Sequence, residues 1–271
     1  MNRALRVGLS TCPNDTFLFH GLLENLVPTP GLELEFVLGD VQQLNELLAE
    51  GELDAGKASF ATALRLQDRY GVLRVGSALG FGVGPVLLAR PGLSGAPRRV
   101  LAPGEGTTAT LLLAALHPEL CAPGVLRQVR FDEIMPALAR GEADAGVAIH
   151  EGRFTFQRHG LTLLEDLGMS WERLTGSPVP LGGLLARRDL GAEVHAALCR
   201  ALSASLALAR RDPAATLPTL RRHAQELDDE VLWKHVELYV NAHTAELGEQ
   251  GRAALDELAR RVGCARLLVL G

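Results

Sequence analysis

Aromatic side chains make up only 4% of the 271 residues, and the 27 Lys and Arg are outnumbered by 32 Asp and Glu, for a net charge of −5. A surface that tracks a phosphate backbone needs an excess of basic side chains interleaved with stacking rings, so nucleic acid is excluded as the expected partner. Long apolar runs are also missing. The longest, near Leu111 to Leu116, falls far short of the roughly 20 residues that span a bilayer. Met1 to Ser10 lacks the apolar centre of a secretory signal, so no membrane insertion and a cytoplasmic location are expected. Cysteine is sparse: Cys12, Cys121, Cys199 and Cys264 are scattered, with no Cys-x-x-Cys and no His at zinc-ligand spacing. That pattern supports neither a disulfide framework nor a metal site.

Apolar side chain, by contrast, is plentiful at 47%, beside 22% charged residues, an ordinary globular balance. At about 150 residues per domain, the length suits two domains. An internal repeat supports that division. Leu48-Ala-Glu-Gly-Glu-Leu-Asp-Ala-Gly-Lys-Ala58 matches Leu138-Ala-Arg-Gly-Glu-Ala-Asp-Ala-Gly-Val-Ala148 at eight of eleven positions. Each copy follows an Asp suited to capping a helix, Asp40 or Asp132, and apolar residues three or four apart. Gly51 and Gly141 then stop the helices, and the small apolar residues after them start a buried strand. Leu5 to Leu9 resembles Val100 to Ala102, and Val86 to Arg90 resembles Leu184 to Arg187, so the whole unit is expected twice.

Strands alternating with helices predict an α/β fold of two lobes, each a mostly parallel sheet flanked by helices. After Leu190 the pattern turns helical, as in Glu193 to Arg211 and Asp229 to Leu247, and this segment is expected to return to the first lobe. The expected division is residues 1–88 with 188–271 for lobe 1 and 89–187 for lobe 2, with crossings near Gly84 to Arg90 and Gly182 to Arg187 and a ligand cleft between the lobes.

Ligands of open α/β sheets bind outside the carboxyl ends of strands, where helix N termini favour anions. Four turns qualify: Ser10 to Thr16, Lys57 to Ser59, Gly104 to Thr108 and Ile149 to Arg153. Pro103-Gly-Glu-Gly-Thr-Thr108 offers two glycines and two hydroxyls, although plain N-capping by a threonine explains it equally well. Lys57 ends the first repeat, where Val147 stands in the second, and either charges the cleft or is simply solvated. Asn14 and Asp15 read as helix caps, and Cys12 has no partner base as a nucleophile. Among the histidines, His117, His159, His195, His223, His235 and His243 look structural, and His20 could reach the cleft. His150 stands apart because it directly follows the apolar strand Ala145 to Ile149. An imidazole titrates near neutrality and suits a general base.

Ser10-Thr-Cys-Pro-Asn-Asp-Thr-Phe17, Leu79-Gly-Phe-Gly-Val-Gly-Pro85, Ile149-His-Glu-Gly-Arg-Phe154 and Leu181-Gly-Gly-Leu-Leu-Ala-Arg187 together resemble the 1,4-dihydroxy-6-naphthoate synthase family of the futalosine route to menaquinone. The resemblance runs over nearly the whole chain. It implies a type II periplasmic-binding-protein fold used for cytosolic catalysis: conversion of cyclic dehypoxanthinyl futalosine to 1,4-dihydroxy-6-naphthoate by carbon–carbon cleavage, without hydrolysis or cofactor. It also implies that His150 is catalytic, that Lys57, Ala58, Ser59, Thr107 and Thr108 bind substrate, and that the partner is a small anionic organic molecule. The chain departs from the family's usual turns at Thr11, where a proline is common, and at Ala58, where a leucine is common. The sister chorismate dehydratases typically open Ser-Tyr-Leu-Asn where this chain reads Ser-Thr-Cys-Pro-Asn-Asp. A transport solute-binding protein or a non-catalytic small-anion binder would share the fold, and a ligand-sensing effector would need a DNA-binding segment.

Overall fold

The computed structural model describes residues 3–223 and 228–271. They form two compact units, Met1–Leu79 with Gly182–Gly271, and Gly80–Leu181. The chain therefore changes unit several residues before the positions drawn from sequence. The reason is that Val86–Ala89, taken as a crossing, is already a central strand of the second unit's sheet.

The first unit opens with β1 (Arg3–Ser10), α1 (Pro13–Leu23), β2 (Leu32–Gly39), α2 (Val41–Glu50), β3 (Ala55–Ser59), α3 (Phe60–Arg65), β4 (Tyr70–Leu73) and β5 (Ala78–Gly80). The second unit follows as β6 (Val86–Ala89), β7 (Val100–Ala102), α4 (Thr108–Leu116), β8 (Leu126–Gln128), α5 (Phe131–Ala139), β9 (Ala145–Ala148), α6 (Gly152–Thr155), β10 (Thr162–Asp166) and α7 (Leu167–Thr175). The chain then returns along β11 (Val179–Arg187) into α8 (Ala192–Arg211), α9 (Leu217–His223), α10 (Asp229–Tyr239), α11 (Ala242–Ala245), α12 (Gly248–Arg261) and β12 (Val269–Leu270).

The first sheet has the order β12-β4-β11-β3-β1-β2, with β5 paired to β11, and the second β10-β6-β9-β7-β8. Helical crossovers return the chain parallel, which gives the parallel trios β2–β1–β3 and β8–β7–β9. The neighbours β11 and β6 run antiparallel, β11 to β3 and β4, β6 to β9 and β10. Each sheet is thus mixed. Read strand for strand, β2-β1-β3-β11-β4 repeats as β8-β7-β9-β6-β10, so the sequence repeat reports a repeated topology.

The module's chemistry explains why both copies fold alike. Asp40 caps α2 in a capping box with Gln43, and Gly51 closes the helix in the left-handed conformation at φ 80°. Gly141 takes φ 72° after α5. Asp132, in contrast, is not a cap: Arg130 occupies that position, and Asp132 lies in the first helical turn paired to the Arg130 guanidinium. The aspartate of each Gly-Glu-x-Asp repeat has the same duty. Asp54 accepts the backbone N–H of Arg6 at 3.1 Å, and Asp144 accepts those of Arg98 and Arg99 at 3.1 Å. Their own carbonyls accept from Arg187 N–H and Arg90 N–H respectively. The repeated Ala-Arg endings of β11 and the β6 segment are therefore the other half of one staple.

Every residue of β3, β4 and β9 is buried, as expected for strands covered on both faces. The first unit's core joins Leu5, Leu9, Phe17, Leu18 and Phe19 to Leu198, Leu202 and Leu206 of α8. The second packs Val86, Leu88 and Leu101 against Ile134 and Leu138 of α5. Each such leucine contributes about 1.5 to 3 kcal/mol of transfer free energy. Helix α8 is long and apolar enough to cross a membrane, but its apolar stripe is this core face.

Candidate functional site

The carboxyl ends of β1 and β3 carry a buried polar network in the first unit. Cys12 is the N-cap of α1 and uses no side-chain cap, with Pro13 entering the first turn. Asn14 and Asp15, read from sequence as caps, lie inside the helix instead. Proline at the first helical position sets the cap at Cys12, two residues before Asn14. Asp15 is then carried inward, and its Oδ1 lies 2.7 Å from Lys57 Nζ, with both side chains almost fully buried. Burial pushes the Asp15 carboxyl above its usual range, opposed by the Lys57 charge and by hydrogen bonds from Lys57 and Ser10. Lys57 also donates to the Gly76 carbonyl at 3.5 Å. Lys57 is accordingly neither a solvated lysine nor an uncompensated cation.

The network extends in two directions. Asn14 Nδ2 donates to Asp15 Oδ1 at 2.9 Å, and Asn14 Oδ1 lies 2.9 Å from His235 Nε2 on α10. Asn45 of α2 clamps Ser59, accepting its N–H at 3.0 Å and donating to its Oγ at 3.4 Å. Gly182 and Gly183 pair with Ser59 and Ala58. A Cβ on Gly182 would stand 2.6 Å from the Ala58 carbonyl oxygen, so the Gly-Gly of the Leu181-Gly-Gly motif lets β11 lie against the Lys57-Ala-Ser59 segment. Ser77 Oγ and Thr16 Oγ1 are buried without a hydrogen-bond partner among the described residues. Asp15, Asn45, Ser77 and His235 were not singled out from sequence as site residues. Asp15 and Lys57 are far apart along the chain, and Gly-Ser-Ala reads as an ordinary turn.

In the second unit, Thr107 is the N-cap of α4, its hydroxyl oxygen accepting from Thr110 N–H at 3.2 Å while donating to the Gly104 carbonyl at 2.8 Å. Thr108 Oγ1 donates to the Leu181 carbonyl at 2.7 Å. Both hydroxyls shape the turn, so a ligand here would meet the positive end of the α4 dipole more than a threonine donor. The Pro103 to Thr108 turn is buried except at Glu105.

His150 follows β9 in the left-handed region at φ 54°, a conformation shared among non-glycine described residues only with Asn25. Gly152 N–H donates to the Ile149 carbonyl at 3.0 Å, closing a tight turn. The backbone returns to negative φ at Glu151, at −64°. A histidine held in the left-handed region stores local strain, a feature that concentrates at functional sites. His150 is half-buried, and its ring meets the Phe131 ring edge-on, centroids 5.0 Å apart.

Arg153, at the end of the Ile149 to Arg153 turn, is committed internally. It donates to the Gly84 carbonyl at 2.6 Å and to Asp166 at 2.8 Å. Asp166 in turn caps α7. His20 is buried and bonded to Thr219 at 2.9 Å on α9, so it serves the helical packing, and burial lowers its pKa.

Two α/β units of repeated topology, with polar turns at the carboxyl ends of the parallel strands, define the periplasmic-binding-protein-like class. Solved structures agree. An Archaeoglobus fulgidus protein superposes with TM-score 0.88 at 32% identity, covering 96% of this chain and 97% of its own. A Candida albicans protein described as having the generic periplasmic binding protein fold gives 0.68 at 12% identity, covering 99% and 98%. A family model described as menaquinone biosynthesis matches residues 5–263, and the chain belongs to that family. A Thermus thermophilus relative named 1,4-dihydroxy-6-naphtoate synthase is 48% identical over 94% of this chain and 92% of its own. A Streptomyces coelicolor relative of the same name is 42% identical over 97% and 94%. By that kinship the chain is an enzyme.

Proposed function

We propose that the chain is a 1,4-dihydroxy-6-naphthoate synthase acting as a carbon–carbon lyase on cyclic dehypoxanthinyl futalosine. Kinship supports the substrate. The observation that carries the chemistry is His150: a half-buried histidine at the carboxyl end of β9, on a left-handed turn that glycine would occupy at lower cost.

In this reading His150 accepts the proton of a substrate hydroxyl. The O–H electron pair becomes the carbonyl of the departing fragment, the carbon–carbon bond breaks, and its electrons pass into the ring system that becomes the naphthalene. The imidazolium then returns its proton, so no redox partner is required. General-base help of this kind contributes roughly 10²- to 10⁴-fold.

Lys57, Ala58, Ser59, Thr107 and Thr108 are the proposed substrate-binding positions. The α4 N terminus favours an anionic group by about 0.3 to 1 kcal/mol. Because Lys57 is neutralised by Asp15, its ammonium acts as an oriented donor rather than as a net charge. A cytoplasmic location belongs to the same proposal, in keeping with four cysteines that form no disulfide among the described residues.

The test is His150→Gln, assayed with wild type for release of dihydroxynaphthoate and for substrate binding. The reading requires binding within a few-fold of wild type and a loss of turnover of at least roughly 100-fold. Wild-type turnover in the variant would remove His150 from the chemistry.

A further inference from the structure

A left-handed backbone fixes where the His150 Cβ points, whereas the direction of the imidazole depends on its side-chain torsions and on what the ring touches. The structure supplies a second constraint. Phe131 is the first residue of α5, and its ring meets the His150 ring with centroids 5.0 Å apart and planes at 81°. Such an edge-to-face pair is a preferred aromatic geometry.

Phe131 is placed there by the helix itself. Ile134 and Leu138 are completely buried in the second unit's core, and Phe131, three and seven residues before them, shares their face. Met135, one turn on from Phe131, reaches the same turn: a Cβ built on Gly152 would lie 3.5 Å from Met135 Cε. The helix thus presses two side chains against the segment that carries His150.

The repeat shows how this differs from the first unit. At the 90-residue spacing of the duplicated segment, Phe131 corresponds to Val41, Met135 to Asn45 and His150 to Phe60. In the first unit Asn45 secures the strand end through two hydrogen bonds to Ser59. In the second, packing by Phe131 and Met135 replaces them, and the position after the strand holds an imidazole.

We propose that Phe131 is a positioning residue, holding the His150 imidazole in the orientation from which it accepts the substrate proton. The proposal rests on the proton-acceptor role assigned to His150 above. It predicts that an apolar side chain of similar helix propensity but without a ring preserves the fold and loses the orientation.

The experiment compares the full-length wild type with Phe131→Leu and Phe131→Tyr, with Phe131→Met as the ringless variant should Leu fail to fold. Steady-state kcat and KM are measured on cyclic dehypoxanthinyl futalosine. In parallel, the His150 ring is followed by NMR, its signals assigned with His150→Gln. The expected result is a kcat lowered roughly tenfold or more in the ringless variant, with KM within about twofold. The His150 ring should show averaged side-chain couplings there, and Phe131→Tyr should restore both readouts. An unchanged kcat, or a lowered kcat with His150 couplings as in wild type, overturns the proposal. If wild type itself leaves the substrate intact, the functional reading fails on its own. Phe131 is then judged by NMR alone, where averaged couplings support its hold on His150 and unchanged ones overturn it.

Discussion

His150 combines a reactive side chain with an unfavourable backbone, and substitutions can separate the two. Asn tolerates the left-handed region and Val does not. His150→Asn should keep stability within about 0.5 kcal/mol of wild type, whereas His150→Val should lose roughly 1 to 2 kcal/mol, read from urea midpoints. Both should lose turnover, and equal stability of the two would show that the turn is not strained. The buried Lys57–Asp15 pair makes a second prediction. Removing one partner strands the other, so Asp15→Asn alone should cost about 3 kcal/mol, and adding Lys57→Met should restore at least half of that. A strictly additive pair of losses would contradict the coupling seen at 2.7 Å. The position of His150 just past a strand end could be read from the apolar run Ala145 to Ile149, and the structure places β9 at Ala145–Ala148. The left-handed backbone of His150 could not, since His-Glu carries no glycine to announce one. The partner of Lys57 was hidden because Asn-Asp before an apolar stretch looks like a cap, and only the burial of α1 turns Asp15 inward.

At the scale of elements, the aspartate staples tie down the amino ends of β3 and β9, the ends opposite the candidate site's turns. Hydrogen bonds from Arg99, the Arg98 and Arg99 backbone, and Arg90 hold the Asp144 carboxyl well below the usual carboxylate range. A carboxyl whose folded pKa is depressed stabilises the fold above its unfolded pKa of about 3.9, and that contribution fades as pH falls toward the folded value. Asp144→Asn should therefore cost about 2 kcal/mol at neutral pH and flatten the acid limb below pH ~4, checked by urea midpoints across that range. An acid limb identical to wild type would contradict this. Gly168, the second residue of α7, lies against the Val83–Gly84 backbone, where an added Cβ would collide with main-chain atoms. Gly168→Ala should thus lose about 2 kcal/mol, while Gly160→Ala, left-handed but in open space, should lose only about 1. The Gly-x-Gly-x-Gly motif before Pro85 was visible as a pattern in the sequence, and the Gly84–Gly168 approach gives one of its glycines a cause. The Asp132 cap failed as an expectation because α5 begins at Phe131, two residues before the Glu133 start that a cap at Asp132 requires.

For the whole molecule, the repeat of Gly-Glu-x-Asp-Ala-Gly was the most informative single feature, because it forecast two units built alike. Five strands of the first sheet repeat the order of the second, and the same aspartate performs the same task in each. What the pattern could not supply was the return of β11 between β3 and β4, since that pairing joins segments more than a hundred residues apart and depends on topology rather than local periodicity. Short elements such as α6 and β12 were likewise invisible. The two copies differ in their endings, Lys57-Ala-Ser59 in one and Ile149-His-Glu151 in the other, and the proposed chemistry is assigned to the second. The central claim is that the second ending performs a base-catalysed cleavage on this substrate. Its most direct test is to incubate purified wild type and His150→Gln with cyclic dehypoxanthinyl futalosine, without added cofactor, and to follow dihydroxynaphthoate by mass. The account predicts stoichiometric product from wild type and at least roughly 100-fold slower formation by the variant. Folded wild-type protein that leaves the substrate unchanged, or a variant that matches it, would contradict the account.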